Sequence, residues 1–275
     1  MKTKDKIHQI DLDEVIRNKN PRLLKLLPRV VLNYIKRVIH QTDFNSFLRE
    51  TKDLHNHDFV CGTLKHFQIN VISQGLENIP KEGGCIVVCN HPLGGIDGIA
   101  VMQEVAKRRK DIKALVNDLL MNLHNLTSLL IPINKHGKNA INNVKLLDRT
   151  YASEECIIVF PAGLVSRKQK GEIKDLEWKK SFISKAIQYK HNVIPVYIEA
   201  KNSRFFYNLG SFRKKMGIKV NLEMFFLVDE VYKQKGKTIT IHFGEPIPYT
   251  TFTKSLTHLE WAEKVKEIVY SLKKS

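Results

Sequence analysis

The sequence predicts an α/β protein: a mostly parallel central sheet flanked by helices, preceded by an N-terminal amphipathic helical segment. Three observations lead there. From about Phe67 onward, seven short runs rich in Ile and Val are bounded by Gly, Pro, Asn or Lys, as strands are. Helical patterns separate several of these runs. Upstream of Phe67 the pattern is helical throughout. Strand and helix in alternation favour a parallel sheet covered on both faces, with its site at the carboxyl ends of the strands.

The N-terminal stretch comes first. Between Val15 and Thr42 there is no acidic residue, whereas Arg17, Lys19, Arg22, Lys25, Arg29, Lys36 and Arg37 are basic. At about 100° per residue, Leu23, Leu27, Val30, Val31, Tyr34 and Val38 gather on one side of a helix, and Arg22, Lys25, Arg29 and Lys36 on the other. Pro21 and Pro28 each suit a first helical turn, so a break or kink is expected at Pro28. A basic amphipathic helix can lie in an anionic membrane surface, gaining about 1 kcal/mol per nearby Lys or Arg. Alternatively its apolar side packs on the α/β body. The expected division is a membrane-interface segment over 1–66 and an α/β domain over 67–275.

The expected strands are FQINVIS, GCIVVCN, IKALVND, LLIPIN, CIIVFPA, VIPVYIEA and TITIHFG. The expected helices between them are DGIAVMQEVAKRR, AINNVKLLDRTYASE and KKSFISKAIQYK, and LEWAEKVKEIVY reads as a C-terminal helix covering the sheet. No internal repeat or low-complexity linker interrupts the chain.

Composition limits the function. With 275 residues, 43% of them hydrophobic, the chain can bury a full core. Lys and Arg number 45 against 28 Asp and Glu, a net charge of +17 that favours anionic partners: nucleic acid, anionic lipid or an acidic carrier protein. Cys61, Cys85, Cys89 and Cys156 fit neither a zinc ribbon nor a disulfide framework, and read as reduced thiols of a cytosolic protein. The N-terminus lacks the apolar core of a signal peptide, and no apolar run approaches the roughly 20 residues that span a bilayer. Gly-x-Ser-x-Gly, Walker and dinucleotide motifs are missing, which leaves serine hydrolase, NTPase and Rossmann oxidoreductase readings without support. The His-Asn-His-Asp run at 55–58 has no downstream partner set, so no metal is expected.

The sharpest signal is a turn. CIVVCN is followed by His91, Pro92, Leu93, Gly94, Gly95, Ile96 and Asp97. Asp97 suits the cap of the next helix, with His91 an ordinary loop histidine. The same pair also suits a dyad, in which a carboxylate fixes the imidazole in one tautomer and lets it take a proton from a hydroxyl or thiol. The residues alone leave both open.

NHPLGGIDG, followed by IPINKHGKNAI, FPAGLVSRKQKG and VIPVYI, resembles in order and spacing the four blocks of the glycerolipid acyltransferase superfamily, which includes 1-acylglycerol-3-phosphate acyltransferases. The likeness runs from about Gly75 to Pro248 and is closest to the hemolysin-like branch with its ornithine- and glycine-lipid O-acyltransferases. Two departures stand out. Five residues separate His91 from Asp97 where the family has four, and Ala162 replaces the usual glutamate of the third block. Gly94 and Gly95 offer the freedom to absorb the extra residue.

The resemblance implies that His91 is the general base for a hydroxyl attacking an acyl thioester, and that Asp97 orients it. It implies a substrate-binding set of Asn90, Gly94, Gly95, Asn134, Lys135, Lys138, Phe160, Pro161, Gly163, Ser166, Arg167 and Lys168. Ser166, Arg167 and Lys168 are expected to be exposed, with Arg167 gripping an anionic headgroup in two-point fashion. Trp178 is expected to serve packing, and Pro195 to end a strand beside the acyl pocket. No cofactor or metal is implied. The co-substrate is acyl-carrier protein (acyl-ACP) or acyl-CoA, the former favoured by charge, and the acceptor is a lyso-type lipid, a monoacylated aminolipid ahead of lysophosphatidate. The implied location is the inner face of the cell membrane, held peripherally by anionic lipids. The alternative is a non-catalytic basic protein binding anionic membrane or nucleic acid. It is disfavoured because a binder needs no His/Asp pair, and no nucleic-acid motif is present.

Overall fold

The structure, a computed structural model, describes residues 11–19, 21–133, 140–169 and 171–274. The described helices are α1 (Leu12–Lys19), α2 (Pro21–Leu26), α3 (Arg29–Val38), α4 (Gln41–Glu50), α5 (Asn56–His66), α6 (Gly95–Val105), α7 (Ala140–Tyr151), α8 (Ser181–Tyr189), α9 (Arg204–Lys215), α10 (Leu227–Tyr232) and α11 (His258–Ser271). The strands are β1 (Asn70–Gln74), β2 (Cys85–Cys89), β3 (Ile112–Val116), β4 (Leu130–Pro132), β5 (Cys156–Val159), β6 (Arg167–Gln169), β7 (Glu172–Lys174), β8 (Asn192–Glu199) and β9 (Thr238–Phe243). Two compact units result: a helical unit of Met1–Leu54 with Ser203–Lys235, and a sheet unit of His55–Asn202 with Gly236–Ser275. Helix α5 thus belongs with the sheet, although the sequence pattern places a boundary near Phe67, and α9 and α10 belong with the N-terminal helices.

All seven expected strands lie in one sheet of order β1-β9-β8-β2-β5-β3-β4. Every pairing is parallel except β8 with β9. The α/β architecture, a mostly parallel sheet flanked by helices, is therefore present as the alternation predicts. β2 and β5 are buried along their whole lengths, which is why they read as unbroken apolar runs: a central parallel strand has no solvent face to supply polar residues. Ile86 and Val88 join Trp178, Phe182 and Ile183 and the α11 residues Ala262, Val265 and Val269 in one core. The alternate residues Val87 and Cys89 are equally buried, on the other face. α5 packs on α6, which in turn meets β1 and β3. Pro195 lies inside β8 and not at its end. It sits just before the antiparallel ladder to β9 begins at Val196, and its carbonyl accepts from the Gly244 N–H at 2.8 Å, so its missing N–H interrupts little.

Within the helical unit, the expected break falls at Pro28, which precedes α3, and Pro21 opens α2. Val30, Val31 and Tyr34 of the expected apolar side are exposed, and α3 buries no residue fully. Arg22, Lys25 and Arg29 are exposed, while Lys36 donates to Asp13 at 2.6 Å. Among the described residues, no helix is long and apolar enough to cross a membrane.

Candidate active site

β2 delivers the chain to the carboxyl edge of the sheet, between β8 and β5. Asn90, buried, laces this corner to β8: its Nδ2 donates to the Ile198 carbonyl at 3.1 Å and its Oδ1 accepts from the Ile198 N–H at 2.6 Å. Asn202 ties down the next turn by donating to the Pro92 carbonyl at 3.1 Å. His91 lies between these two anchors.

The His91 Nδ1 stands 3.0 Å from Asp97 Oδ2. That oxygen also accepts the backbone N–H groups of Leu93 at 2.9 Å and Gly94 at 3.0 Å. The carboxylate therefore does both things the sequence offered as alternatives. It closes the start of α6 and it holds the imidazole. It does so from the third residue of the helix and not from the cap, because Gly94 is the capping residue and Gly95 the first helical one. Gly94 has φ 99°, a conformation that only glycine adopts cheaply, and this turns the N–H groups of residues 93 and 94 onto one oxygen. A side chain at Gly95, by contrast, would meet nothing within 4 Å.

Asp97 is fully buried, and its Oδ1 has no hydrogen-bond partner among the described residues. Burial raises its carboxyl above the ordinary carboxylate value; the contacts with His91, Leu93 and Gly94 pull the other way. The His91 side chain remains 18% exposed, with the Phe160 ring tilted over it at a centroid distance of 4.5 Å. In the tautomer that places its proton on Nδ1, facing the carboxylate, the imidazole has its basic lone pair on Nε2. The neighbouring Cys89 thiol is no rival nucleophile, since burial pushes its pKa well up and Asp97 and Asp175 push it further.

The third block meets the same corner from β5. Phe160 is half-buried and Pro161 buried; Gly163 is exposed with φ 64°, and its N–H bonds back to the Phe160 carbonyl at 3.0 Å. Ala162 packs its methyl group in the core. The expectation of an exposed Ser166 is overturned: it is 2% exposed, and its Oγ donates to Asp175 Oδ1 at 2.5 Å. Arg167 folds its guanidinium back onto the Val165 carbonyl at 2.6 Å, so it is not held out as a two-point fork, and of the three only Lys168 is exposed. An unanticipated ribbon, β6 with β7, carries Arg167 and Lys168. Asn134, Lys135 and Lys138 lie outside the described residues.

Sequence reasoning missed Asp175. Only 1% exposed, it accepts the His91 backbone N–H at 3.2 Å, the Ser166 hydroxyl and the Trp178 indole N–H at 2.9 Å, while its own N–H donates to the Tyr270 hydroxyl at 2.7 Å. The Ser166 N–H in turn donates to the His91 carbonyl at 2.8 Å. Asp175 thus clamps the main chain of His91 to the third block. Trp178 is the buried packing residue the sequence suggests, and it also supplies one of these donors. The only hint in the sequence is an acid three residues before a tryptophan, and with Glu172 and Glu177 beside it nothing local singles it out.

A sequence profile of the Acyltransferase family matches residues 14–275. The lyso-glycine lipid O-acyltransferase of Bacteroides thetaiotaomicron is 48% identical over 272 residues, covering 98% of this chain and 100% of that protein. Its namesake in Phocaeicola vulgatus is 45% identical over 271 residues, covering 98% and 97%. A crystal structure of the 1-acyl-sn-glycerophosphate (LPA) acyltransferase of Thermotoga maritima covers 89% of this chain and 93% of its own, with 17% identity and a TM-score of 0.49. The two curated relatives agree with the branch that the four blocks resemble. This chain belongs to the acyltransferase family and is an acyltransferase.

Proposed function

We propose that the protein moves a fatty acyl chain from a thioester to the hydroxyl of a lyso-type lipid, with a monoacylated glycine lipid as acceptor. The observation that carries the mechanism is the 3.0 Å contact between His91 Nδ1 and a buried Asp97. The acceptor is suggested by the names of the two relatives at 48% and 45% identity.

In the proposed reaction the acceptor hydroxyl oxygen attacks the thioester carbonyl carbon and gives its proton to His91 Nε2. The tetrahedral intermediate then collapses, the new C–O ester bond stays and the C–S bond breaks. The leaving thiolate recovers the proton from the imidazolium. Asp97 favours the charged imidazole that exists between these steps. The acceptor is itself the nucleophile, so no acyl-enzyme forms. Acyl-carrier protein is the preferred donor because its acidic surface suits a chain of net charge +17; acyl-CoA presents the same thioester.

The protein works from the inner membrane face, to which it is held peripherally. The basic stretch of α1–α3 and the exposed Leu26, Val30, Val31 and Tyr34 support this attachment. One experiment tests the chemistry: His91→Ala enzyme, given radiolabelled acyl thioester and detergent-dispersed lyso-glycine lipid, loses about 1,000-fold or more of the transfer rate. Transfer at the wild-type rate sinks the mechanism, and transfer to lysophosphatidate alone sinks the assigned acceptor.

A further inference from the structure

The helical unit keeps an apolar surface that neither the site nor the N-terminal segment accounts for. Ten of the seventeen large hydrophobic side chains that are exposed among the described residues fall in this unit, which spans less than a third of the chain. Six of those ten come from α9 and the segment after it: Phe205 at 49% exposure, Phe212 at 60%, Met216 at 61%, Ile218 at 38%, Val220 at 61% and Phe225 at 58%.

The placement is ordered. α9 buries Phe206, Tyr207 and Gly210 on one side. Phe205, Leu209, Phe212 and Met216 recur at i, i+4, i+7 and i+11, which is one stripe of a helix, on the side facing away from those three. A globular helix needs one apolar face; this one has two, and the second carries exposed side chains although the Phe205 ring meets Phe226 at 5.0 Å. The scaffold beneath is firm. Glu223, fully buried, packs where Gly210 has no side chain and receives Arg213 Nε at 2.9 Å, while Arg213 Nη1 holds the Ile218 carbonyl at 2.7 Å. That clasp fixes the loop carrying Ile218 and Val220. Around the apolar stripe, residues 204–222 contain Arg204, Arg213, Lys214, Lys215 and Lys219 and not one Asp or Glu.

We propose that α9 and the loop after it, residues 204–225, form a second membrane-docking element that seats Phe212 and Met216 among the acyl chains of an anionic bilayer, with the surrounding lysines at the headgroups. Exposed aromatic and aliphatic side chains in a stretch whose charged residues over 204–222 are all basic match that occupant: apolar depth below, negative charge at the rim. The inference rests on the peripheral-membrane reading given above but assigns it to a part of the chain that begins 166 residues after the end of α3.

The test is co-sedimentation of full-length protein with vesicles of equal parts phosphatidylglycerol and phosphatidylcholine. Replacing both Phe212 and Met216 by Ser weakens binding about tenfold or more, because two side chains that would leave water no longer do. Leu259→Ser with Ile268→Ser, exposed positions on α11, leaves binding unchanged. Both pairs are at the surface, so thermal melting stays near wild type. As a second measurement, the Phe212→Trp variant gains a blue-shifted emission on these vesicles that brominated lipid quenches. Binding by the Phe212/Met216 variant equal to wild type overturns the proposal, as does an indole emission from the Phe212→Trp variant that brominated lipid leaves unquenched. So does a wild-type dimer in sedimentation velocity that the Ser pair dissociates, since the face would then bind a second copy. Wild-type protein that ignores the vesicles altogether retires the peripheral reading itself, while the labelled-acyl assay on detergent-dispersed acceptor still judges the chemistry.

Discussion

The corner at His91 and the helical unit of α1–α4, α9 and α10 both contain fully buried carboxylates, and they partner them differently. In the helical unit Glu223 faces Arg213 at 2.9 Å and Glu230 faces Lys233 at 2.8 Å. Each buried negative charge there meets a permanent positive one. At the corner, the ionisable partner of Asp97 among the described residues is an imidazole, and Asp175 is held by neutral donors. A buried carboxylate matched by Lys or Arg is a structural tie. One left facing a histidine keeps its charge available to a proton that comes and goes. The apolar side chains are distributed the opposite way: enclosed around the corner, exposed along α3 and α9.

Breaking the clamp is the harshest test of this contrast. Asp175→Ala strands the His91 N–H, the Ser166 hydroxyl and the Trp178 indole N–H in a buried site, and costs about 4 kcal/mol of unfolding free energy in urea titration. Asp175→Asn keeps an acceptor for part of this set and costs less. If the alanine variant is as stable as wild type, the clamp does not hold the corner together. Next comes Arg213→Ala, which leaves Glu223 buried without its cation and costs about 3 kcal/mol, with no change of transfer rate on detergent-dispersed acceptor once the protein is folded. A large rate loss there would blur the distinction between tie and site.

The smallest effect has the opposite sign. Burial raises the Asp97 pKa, so the folded chain binds that proton more tightly than the unfolded chain. The resulting contribution to stability is present below the unfolded pKa and is lost as pH rises through the folded one. In its charged form the carboxylate is buried with one oxygen unpartnered among the described residues. Asp97→Asn removes that charge and raises Tm at pH 7 by a few degrees, with the difference shrinking as pH falls into the carboxylate range. A lowered Tm at pH 7 would contradict the account.

How legible this was in the sequence depended on distance along the chain. The seven strands were readable because each is a contiguous apolar run, and His91 with Asp97 because six positions and two glycines make a local pattern. Asp175 was not, since it meets His91 across 84 residues through a fold-dependent hydrogen bond. Ser166 reads as exposed because a serine beside Arg and Lys carries the composition of a surface turn, while its buried place is held by bonds to Asp175 and to the distant His91 carbonyl. The capping role assigned to Asp97 was nearly right: the local bonds are those of a helix start, displaced by three residues because Gly94 can take φ 99°. Helices α9 and α10 joined α1–α4 without any local signal, as associations between distant segments do.

Asp97→Asn also isolates the central claim, because asparagine can offer its one oxygen to Leu93, Gly94 and His91 while its amide nitrogen takes the unpartnered Oδ1 position and the negative charge is gone. The decisive number is its rate of labelled acyl transfer to lyso-glycine lipid at saturating substrate. A loss of about 100-fold is expected, the share of imidazolium stabilisation owed to the carboxylate. A rate equal to wild type would mean that His91 takes no proton with the help of Asp97.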